Sequence, residues 1–263
     1  VLRRIDRLNR LADRVAAGAL DARLPQPLGR DEYGRLAAHV HGMLDRIGHL
    51  TAATRRLSDS IAHELRTPLG RIQQRLDRLG EDPQAQAAAT EIRDTIRIFD
   101  SLLEISRAEA ASGALPGLAP VDLSALAREL ADLYEALAEE EGLTFEAAVA
   151  PGAMVLGERT LIAQAASNLL DNAIKFCGPG DRVRLAVATG PERHVLSVAD
   201  TGPGLPPDMA DPFDRFARGR DHAARPGHGL GLALVRAIAT RHGARLSRPR
   251  TAQGLTIALA FPV

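Results

Sequence analysis

Three polar side chains recur at helical spacing within the stretch NLLDNAIKF, residues 168–176. Asn168 and Asn172 are four positions apart and Lys175 follows three later, so a helix places all three on one face. Carboxamide oxygens are hard ligands suited to Mg²⁺, and the lysine ammonium is a point charge for a phosphate. The spacing therefore indicates a site for a metal-bound polyphosphate, with a solvated polar helix face as the alternative.

The stretch ADTGPGL, residues 199–205, follows a strand-like run and ends it with a carboxylate. Asp200 in this position can accept a hydrogen bond from an exocyclic amine. Gly202 and Gly204 let the backbone turn tightly and approach a ligand. Taken by itself this stretch favours a plain Asp-Gly turn, with a ligand-binding loop as the alternative.

A second glycine-rich stretch, GHGLGLALV, contains Gly227, Gly229 and Gly231 at the start of a predicted helix. Backbone N–H groups at a helix N-terminus bind anions such as phosphate. Residues 211–229 include few packing residues and several arginines. This segment is expected to act as a mobile lid over phosphates.

A histidine and a glutamate are adjacent in the stretch SIAHELRTPLG, residues 60–70. Apolar residues at heptad spacing from Leu36 to Ile61 predict a helix whose seam is buried. His63 lies two residues after Ile61, about 200° around that helix, and is expected to face solvent. Because neutral imidazole is a nucleophile near neutral pH, His63 is a candidate phosphoryl acceptor. For the His-Glu pair taken by itself, an ordinary surface histidine is the favoured interpretation.

The same heptad spacing predicts two long helices in the first half of the chain. The first begins near Leu36 and continues through the histidine stretch, a turn follows at residues 80–83, and a second helix extends to about Glu109. Successive steps of four around Ile61 shift the phase of the seam, as a stutter does. One helical hairpin cannot bury both seams, so two copies are expected to pack as a dimeric four-helix bundle.

The chain on either side of this hairpin has a different character. An amphipathic helix is predicted from Leu2 to about Ala19, followed by a connector rich in proline and glycine. After a linker at Ala111–Pro120 the pattern becomes mixed α and β. This part predicts an α/β sandwich with helices at 122–141, 158–177 and 230–242, and strands at 143–149, 182–188, 194–199 and 255–261.

The composition narrows the classes of protein. The 263 residues include 33 basic and 33 acidic side chains, so the net charge is near zero and nucleic acid is not expected as a partner. The single cysteine, Cys177, excludes an intrachain disulfide. No apolar run approaches the ~18 residues of a membrane-spanning helix. Because the chain begins at Val1 inside a helical pattern, we expect a soluble piece of a longer protein, and the single cysteine fits a reducing compartment.

The order of these motifs resembles the sensor histidine kinases of two-component systems. Asn-x-x-x-Asn, Asp-x-Gly-x-Gly, Phe-Asp-Arg-Phe and Gly-x-Gly-x-Gly are similar to the N, G1, F and G2 boxes of that family's ATP-binding domain. His-Glu-Leu-Arg-Thr-Pro-Leu is similar to its H box, and RDEYGRL to the start of the second helix of a HAMP domain. The resemblance covers essentially the whole chain and implies three domains: HAMP at 1–50, a dimerisation and histidine phosphotransfer hairpin at 51–112, and a catalytic domain of the Bergerat ATP-binding type at 113–263.

The resemblance also implies a reaction and a role for each motif. His63 accepts a phosphoryl group from ATP, Glu64 takes the imidazole proton, and Thr67 holds a water that dephosphorylates a response-regulator aspartate. Asn168 and Asn172 hold Mg²⁺. The other nucleotide-binding positions implied are Lys175, Asp200, Gly202, Gly204, Phe213, Arg215, Phe216, Arg218, Gly227, Gly229, Leu230 and Gly231.

Pro68 is expected to bend the helix near the predicted acceptor, because it removes an intrahelical hydrogen bond. This makes the segment around His63 a candidate switch. Departures from the family pattern are Phe176, where tyrosine is frequent, and His228 in the last glycine box.

The expected partners are a second copy of the chain and the receiver domain of a response regulator, and the expected parent lies in the bacterial inner membrane and faces the cytoplasm. Two alternatives stay open. One is a different ATPase class with the same nucleotide fold, such as a gyrase-like or chaperone machine. The other is a degenerate kinase that acts as a scaffold or as a phosphatase alone.

Overall fold

The computed structural model of the chain describes residues 6–7, 9–11, 23–24, 31–78, 82–111, 118–206, 209, 211–217 and 228–263. Most of the first predicted helix, its connector, part of the turn after the second helix and most of the predicted linker lie outside these residues. The chain divides into two units, Val1–Leu115 and Pro116–Val263. Within the described residues, no helix has the length and apolar character needed to cross a bilayer.

A helix of 46 residues, α1, extends from Glu32 to Asp77. Asp31 caps its N-terminus, because its side chain accepts a hydrogen bond of 2.9 Å from the backbone N–H of Gly34. This cap places the start of the helix ahead of the expected Leu36, and Pro68 lies inside the element. The long continuous helix predicted from the heptad spacing is confirmed.

The second helix of this unit, α2, spans Pro83–Ala111 and packs against α1. Proline is suited to the first position of a helix, where its missing N–H costs no hydrogen bond. The predicted helical hairpin is therefore confirmed. The predicted seam of α2, which includes Ile96 and Phe99, is half-buried or exposed in the single chain. The apolar side chains that α2 buries are Ala85, Ala89, Ile105 and Ala108.

A small apolar cluster joins the first turns of α1 to the chain before it. The backbone N–H of Leu24 donates a hydrogen bond of 3.0 Å to Nε2 of His41 beside this cluster. The described part of the connector is therefore held against α1 by both apolar packing and a polar contact. The cluster consists of Leu11, Leu24 and Ala37, with Tyr33 and Val40 packed against it.

The strands of the second unit are β1 Ala119–Asp122, β2 Thr144–Val149, β3 Met154–Gly157, β4 Arg182–Ala188, β5 Arg193–Asp200, β6 Arg245–Ser247 and β7 Thr256–Pro262. Five of them form a sheet in the order β2-β4-β5-β7-β6, and β1 and β3 form a separate antiparallel pair. Strands β2 and β4 are parallel, and the other neighbours in the sheet are antiparallel.

Three helices pack against the sheet: α3 Leu123–Glu140, α4 Arg159–Phe176 and α5 Gly231–Arg241. Alternate residues of β4, namely Val183, Leu185 and Val187, are buried, as expected for a strand with one covered face. Asp122 caps α3 by accepting a hydrogen bond of 3.0 Å from the N–H of Ala125. The predicted α/β sandwich and its three helices are confirmed.

Three short strands were not predicted from the sequence. The linker assigned to Ala111–Pro120 was wrong at its C-terminal end, because Ala119 and Pro120 belong to β1. Ala119 pairs with Gly157, far along the chain, and strand β6 has only three residues. Segments this short contain too few residues for a periodic pattern, and their partners are distant in sequence.

Candidate functional site

Helix α4 carries the three polar residues predicted to share a face. Asn168, Asn172 and Lys175 are all half-buried, beside the apolar residues that α4 packs into the core. Nδ2 of Asn168 donates a hydrogen bond of 3.0 Å to the carbonyl of Gln164. Lys175 Nζ lies 4.8 Å from the centroid of the Phe176 ring. The amide of Asn168 is therefore held in one orientation by its own helix.

The start of α5 lies directly against the two asparagines. A Cβ atom at Gly231 would be 3.2 Å from Oδ1 of Asn168 and 3.6 Å from Nδ2 of Asn172. Leu230, the residue before it, is buried and anchors the turn. The fold therefore places backbone N–H groups at the N-terminus of α5 beside an amide oxygen, and a side chain at Gly231 would crowd that space.

Asp200 ends β5, and backbone N–H groups hold its carboxylate. Oδ1 accepts hydrogen bonds from the N–H of Gly202 at 3.0 Å and of Leu255 at 3.2 Å. Burial raises the pKa of this carboxyl, while the two N–H donors act in the opposite direction. A half-buried carboxylate at the end of a strand is suited to accept a hydrogen bond from a ligand amine.

Gly202 brings the Asp200 loop against the C-terminal end of α4. A Cβ atom at Gly202 would lie 3.2 Å from Sγ of Cys177 and 3.4 Å from the carbonyl oxygen of Phe176. Helix α4 thus contacts the start of α5 with its middle turns and the Asp200 loop with its end. Asn168 in α4, the Asp200 loop and Gly231 at the start of α5 were predicted from three separate stretches. In the fold, the last two both lie against α4.

A turn at residues 251–255 completes this region and was not predicted as part of it. Gly254 has φ +75°, and a Cβ atom there would lie 1.8 Å from the carbonyl oxygen of Asp200. Gly204, with φ +71°, packs against the carbonyl of Gly254 from the other side. Gly254, just before the last strand, was the available signal for this turn, because glycine readily adopts the positive φ that tight turns need.

Thr201 and Asp181 form a second contact that the sequence reasoning missed. The Thr201 hydroxyl donates to Oδ1 of Asp181 at 2.9 Å and accepts from the N–H of Arg182 at 2.9 Å. The N–H of Gly178 donates to Oδ2 of Asp181 at 2.9 Å and, followed by the Thr201 hydroxyl, lowers the pKa of that carboxyl. This network ties the chain after α4 to the Asp200 loop.

The predicted lid is described at its two ends, while Arg218 and Gly227 lie outside the described residues. The N–H of Phe216 donates a hydrogen bond of 2.9 Å to the carbonyl of Gly229, which joins the two described ends of the segment. Phe216 has φ +63° and is 58% exposed, a conformation rarely adopted by a residue with a side chain. Phe213 is half-buried and Arg215 exposed.

Helix α5 holds the first end of the loop by charge. Arg236 contacts Oδ2 of Asp211 at 3.1 Å and Oδ1 of Asp214 at 3.0 Å. All three side chains are at least 40% exposed, so each ion pair contributes little stability. The contacts instead fix the position of the turn that carries Phe213 and Phe216.

The predicted phosphoryl acceptor belongs to the other unit. The backbone of His63, Glu64 and Thr67 lies within α1, and Glu64 is exposed. The side chains of His63 and Thr67 lie outside the described part of the structure. Among the described residues, no cluster of three or more histidine, cysteine, aspartate or glutamate side chains is arranged to hold a metal ion.

Cys177 is buried beside the Asp200 loop, so the reactivity of its thiol depends on how that loop packs. Burial, followed by the charges of Asp200 and Asp181, raises the pKa of its thiol from 9.0 to about 11. We expect alkylation by iodoacetamide to be slow at pH 8 and to keep accelerating beyond pH 9, because the thiolate is the reactive form. Mass spectrometry of the intact chain measures this rate on its single cysteine.

The unfolded chain in guanidinium provides the control for this measurement. Its alkylation rate should reach half of its maximum near pH 9, the ordinary pKa of a thiol, and level off above it. A folded chain whose rate levels off at the same pH as the unfolded chain would contradict the buried environment of Cys177.

Two family models match the two ends of the chain. One, described as a histidine kinase-, DNA gyrase B-, and HSP90-like ATPase, matches residues 157–263, which include α4, α5 and the loops around Asp200. A HAMP domain model matches residues 1–49. The motifs predicted to bind a nucleotide therefore lie at residues matched by the ATPase model, after those matched by the HAMP model.

Curated relatives match nearly the whole chain. The signal transduction histidine-protein kinase/phosphatase MprB of Mycolicibacterium vanbaalenii is 32% identical over 267 residues, covering 97% of this chain and 54% of its own length. The sensor protein CutS of Streptomyces coelicolor is 32% identical, covering 100% of this chain and 66% of its own length. The chain belongs to the sensor histidine kinases. Membership of this family argues against a gyrase-like or chaperone ATPase.

One solved structure is similar to most of this chain. Full-length ShkA in complex with AMPPNP superposes with a TM-score of 0.62 at 29% identity, covering 79% of this chain and 45% of that one. The chain spans about half the length of several sensor histidine kinases that it matches, such as MprB at 54%. The predicted fold class, HAMP helices with a Bergerat-type α/β domain, is confirmed.

Proposed function

We propose that this chain phosphorylates His63 with ATP and passes the phosphoryl group to an aspartate of a response-regulator receiver domain. The proposal rests mainly on one observation. The Asp200 loop and the start of α5 both pack against α4, the helix that carries the two asparagines. The proposed division is a HAMP domain at 1–50, a phosphotransfer hairpin at 51–112 and a catalytic domain at 113–263.

In the proposed nucleotide site, each motif contacts a different part of ATP. Asp200 accepts a hydrogen bond from the amine of the base, and Gly202 and Gly204 let the loop approach it. Lys175 and the N-terminus of α5 carry positive charge toward the phosphates. The remaining proposed contacts come from the lid and its glycine turn: Phe213, Arg215, Phe216, Arg218, Gly227, Gly229, Leu230 and Gly231.

The asparagines fit a magnesium site. The hydrogen bond from Nδ2 of Asn168 to its own helix leaves Oδ1 facing the start of α5, as expected of a hard oxygen ligand beside phosphates. Asn172 lies next to it on the same face and would supply a second oxygen. Mg²⁺ bound there would offset the negative charge of the polyphosphate.

At the acceptor, one nitrogen of the His63 imidazole forms a bond to the γ-phosphorus of ATP. The bond from that phosphorus to its bridging oxygen breaks, and ADP leaves with the electron pair. Glu64, which is exposed on α1, takes the proton from the other ring nitrogen. An oxygen of the regulator aspartate then bonds to that phosphorus as the N–P bond breaks, and Glu64 returns its proton to the ring, which restores the neutral imidazole.

Exposed apolar residues along α1 support a homodimer. Leu36, Met43 and Leu50 are at least 49% exposed, and all three belong to the predicted seam. A second copy of the chain, packed on the same seam, would remove these side chains from water. A parent protein in the bacterial inner membrane, with this part facing the cytoplasm, stays a prediction.

Labelling with γ-labelled ATP tests the proposed activity. We expect label on the chain that survives base and is lost in acid, because a phosphohistidine has an acid-labile N–P bond. Label that survives acid but not base would indicate a serine or threonine acceptor and contradict the proposal. Binding of Mg-ATP with no label would favour a degenerate kinase that acts as a scaffold or phosphatase.

Thr67 is proposed to position a water for dephosphorylation of the regulator. Thr67→Ala should therefore retain autophosphorylation and slow regulator dephosphorylation about tenfold or more, the range of a lost catalytic hydrogen bond. Loss of the two activities in parallel would show that the substitution acts through α1 itself. Thr67→Ser, which keeps the hydroxyl, is the matched control and should retain both.

A further inference from the structure

The two oxygens of the Asp200 carboxylate have different environments. Oδ1 accepts two backbone hydrogen bonds, from Gly202 at 3.0 Å and from Leu255 at 3.2 Å. Within the described part of the chain, no hydrogen-bond donor contacts Oδ2. One oxygen is therefore committed to the protein and the other is available to a ligand.

The donor at Leu255 cannot move away easily, because its turn is built around the Asp200 backbone. The N–H of Asp200 donates to the carbonyl of Leu255 at 2.9 Å, and Nε2 of Gln253 donates to the carbonyl of Thr201 at 2.8 Å. Gly254 packs so closely on the carbonyl of Asp200 that a Cβ atom would be 1.8 Å from its oxygen. The turn at residues 251–255 and the Asp200 loop therefore form one rigid piece.

We infer that the turn at residues 251–255 determines which purine the site accepts, by reserving Oδ1 for the protein and leaving Oδ2 as the single acceptor for the base. This inference rests on the proposed function, in which Asp200 meets the exocyclic amine of ATP. Gln253, Gly254 and the N–H of Leu255 act as positioning groups, since they act on the base through Asp200.

These hydrogen bonds predict which way the new side-chain amide is oriented in Asp200→Asn, and therefore which purine that variant prefers. The amide oxygen must occupy the Oδ1 position, because an NH₂ group there would face two N–H donors. The NH₂ group then occupies the Oδ2 position and presents a donor to the base. The amino group of a 6-amino purine is itself a donor and would face this NH₂ group without a hydrogen bond. The keto oxygen of a 6-keto purine is an acceptor and would form one.

This inference is tested by measuring the dissociation constants of ATP and of inosine triphosphate for the full chain by isothermal titration calorimetry. Inosine triphosphate has a keto oxygen in place of the 6-amino group and carries no 2-amino group. The parent should prefer ATP by about tenfold or more, the effect of one buried polar mismatch. In Asp200→Asn the ratio of the two dissociation constants should shift toward inosine triphosphate by about 100-fold, since one contact is lost and another gained.

A second variant tests the role of the turn. In the Asp200→Asn background, Gln253→Ala should reduce the preference for inosine triphosphate severalfold, because a looser turn lets the amide adopt either orientation. Thr189→Ala, in the exposed turn between β4 and β5, is the control and should leave the ratio unchanged.

The possible results separate the inference from the proposed function. A parent chain that binds both nucleotides equally, or neither, would overturn the role of Asp200 in base recognition and the inference with it. A parent that prefers ATP, together with an Asp200→Asn chain in which both affinities fall equally, would overturn the inference alone.

Discussion

A His63→Gln chain is expected to bind Mg-ATP with the affinity of the parent and to take up no label from γ-labelled ATP. A carboxamide is not a nucleophile toward phosphorus, so the N–P bond cannot form. Binding is preserved because the α4 asparagines, Asp200 and the start of α5 all belong to the second unit, residues Pro116–Val263. Calorimetry measures the first property and autoradiography the second.

The matched partner for this variant is Asn172→Asp, which retains the acceptor and loses activity. An added carboxylate beside the phosphates disturbs both the metal ligands and the local charge. Neither substitution changes an apolar seam residue, so both chains should still dimerise. Mixed after reversible unfolding, the two chains produce labelled His63 if transfer occurs between chains and no label if it occurs within one.

Either result of the mixing experiment is compatible with kinase activity. Acid-labile label on the His63→Gln chain itself would refute His63 as the acceptor. Weakened Mg-ATP binding by that chain would contradict the separation of the acceptor from the nucleotide site.

Gly254→Ala is expected to destabilise the catalytic unit and to abolish tight nucleotide binding. The new Cβ atom would lie 1.8 Å from the carbonyl oxygen of Asp200 and 2.8 Å from Cα of Thr201, both backbone atoms that cannot rotate aside. Overpacking and positive φ together should lower the free energy of unfolding by about 3 kcal/mol or more. Urea denaturation and a fluorescent ATP analogue measure the two effects.

Gly152→Ala isolates the contribution of the backbone conformation. Gly152 has φ +78°, close to the +75° of Gly254, but nothing lies within 4 Å of the added Cβ atom. This control should lose only about 1–2 kcal/mol and retain nucleotide affinity. Similar losses in the two variants would contradict the close packing of the turn on Asp200.

Local patterns in the sequence predicted the regular elements well. Heptad spacing predicted the long helix α1 and its partner α2, and the helix predicted at 122–141 is α3, which Asp122 caps. Strand β4 begins and ends where the alternation of apolar residues indicated, at Arg182 and Ala188. These features depend on hydrogen bonds and side chains within a few residues of one another, so a short stretch contains the necessary information.

The short strands β1, β3 and β6 were missed because their partners are remote. Ala119 pairs with Gly157, and Arg245 with Ala260, so each strand forms where an independently positioned segment presents its edge. The sequence of a three- or four-residue segment contains no comparable signal. The exposed apolar seam of α1 is a related case, because the partner proposed to cover it is a second copy of the chain.

The sequence by itself determined which residue types the site would use. The spacing of Asn168 and Asn172, and the order of Asp200 and the glycine stretches, predicted the residues of the proposed nucleotide site. Only the tertiary structure decided that Leu255, 55 residues from Asp200, donates to its carboxylate, and that Gly231 lies against Asn168. Helical and strand periodicity is set by neighbouring backbone groups, whereas contacts across such separations are set by the packing of α4, α5 and the sheet into one core.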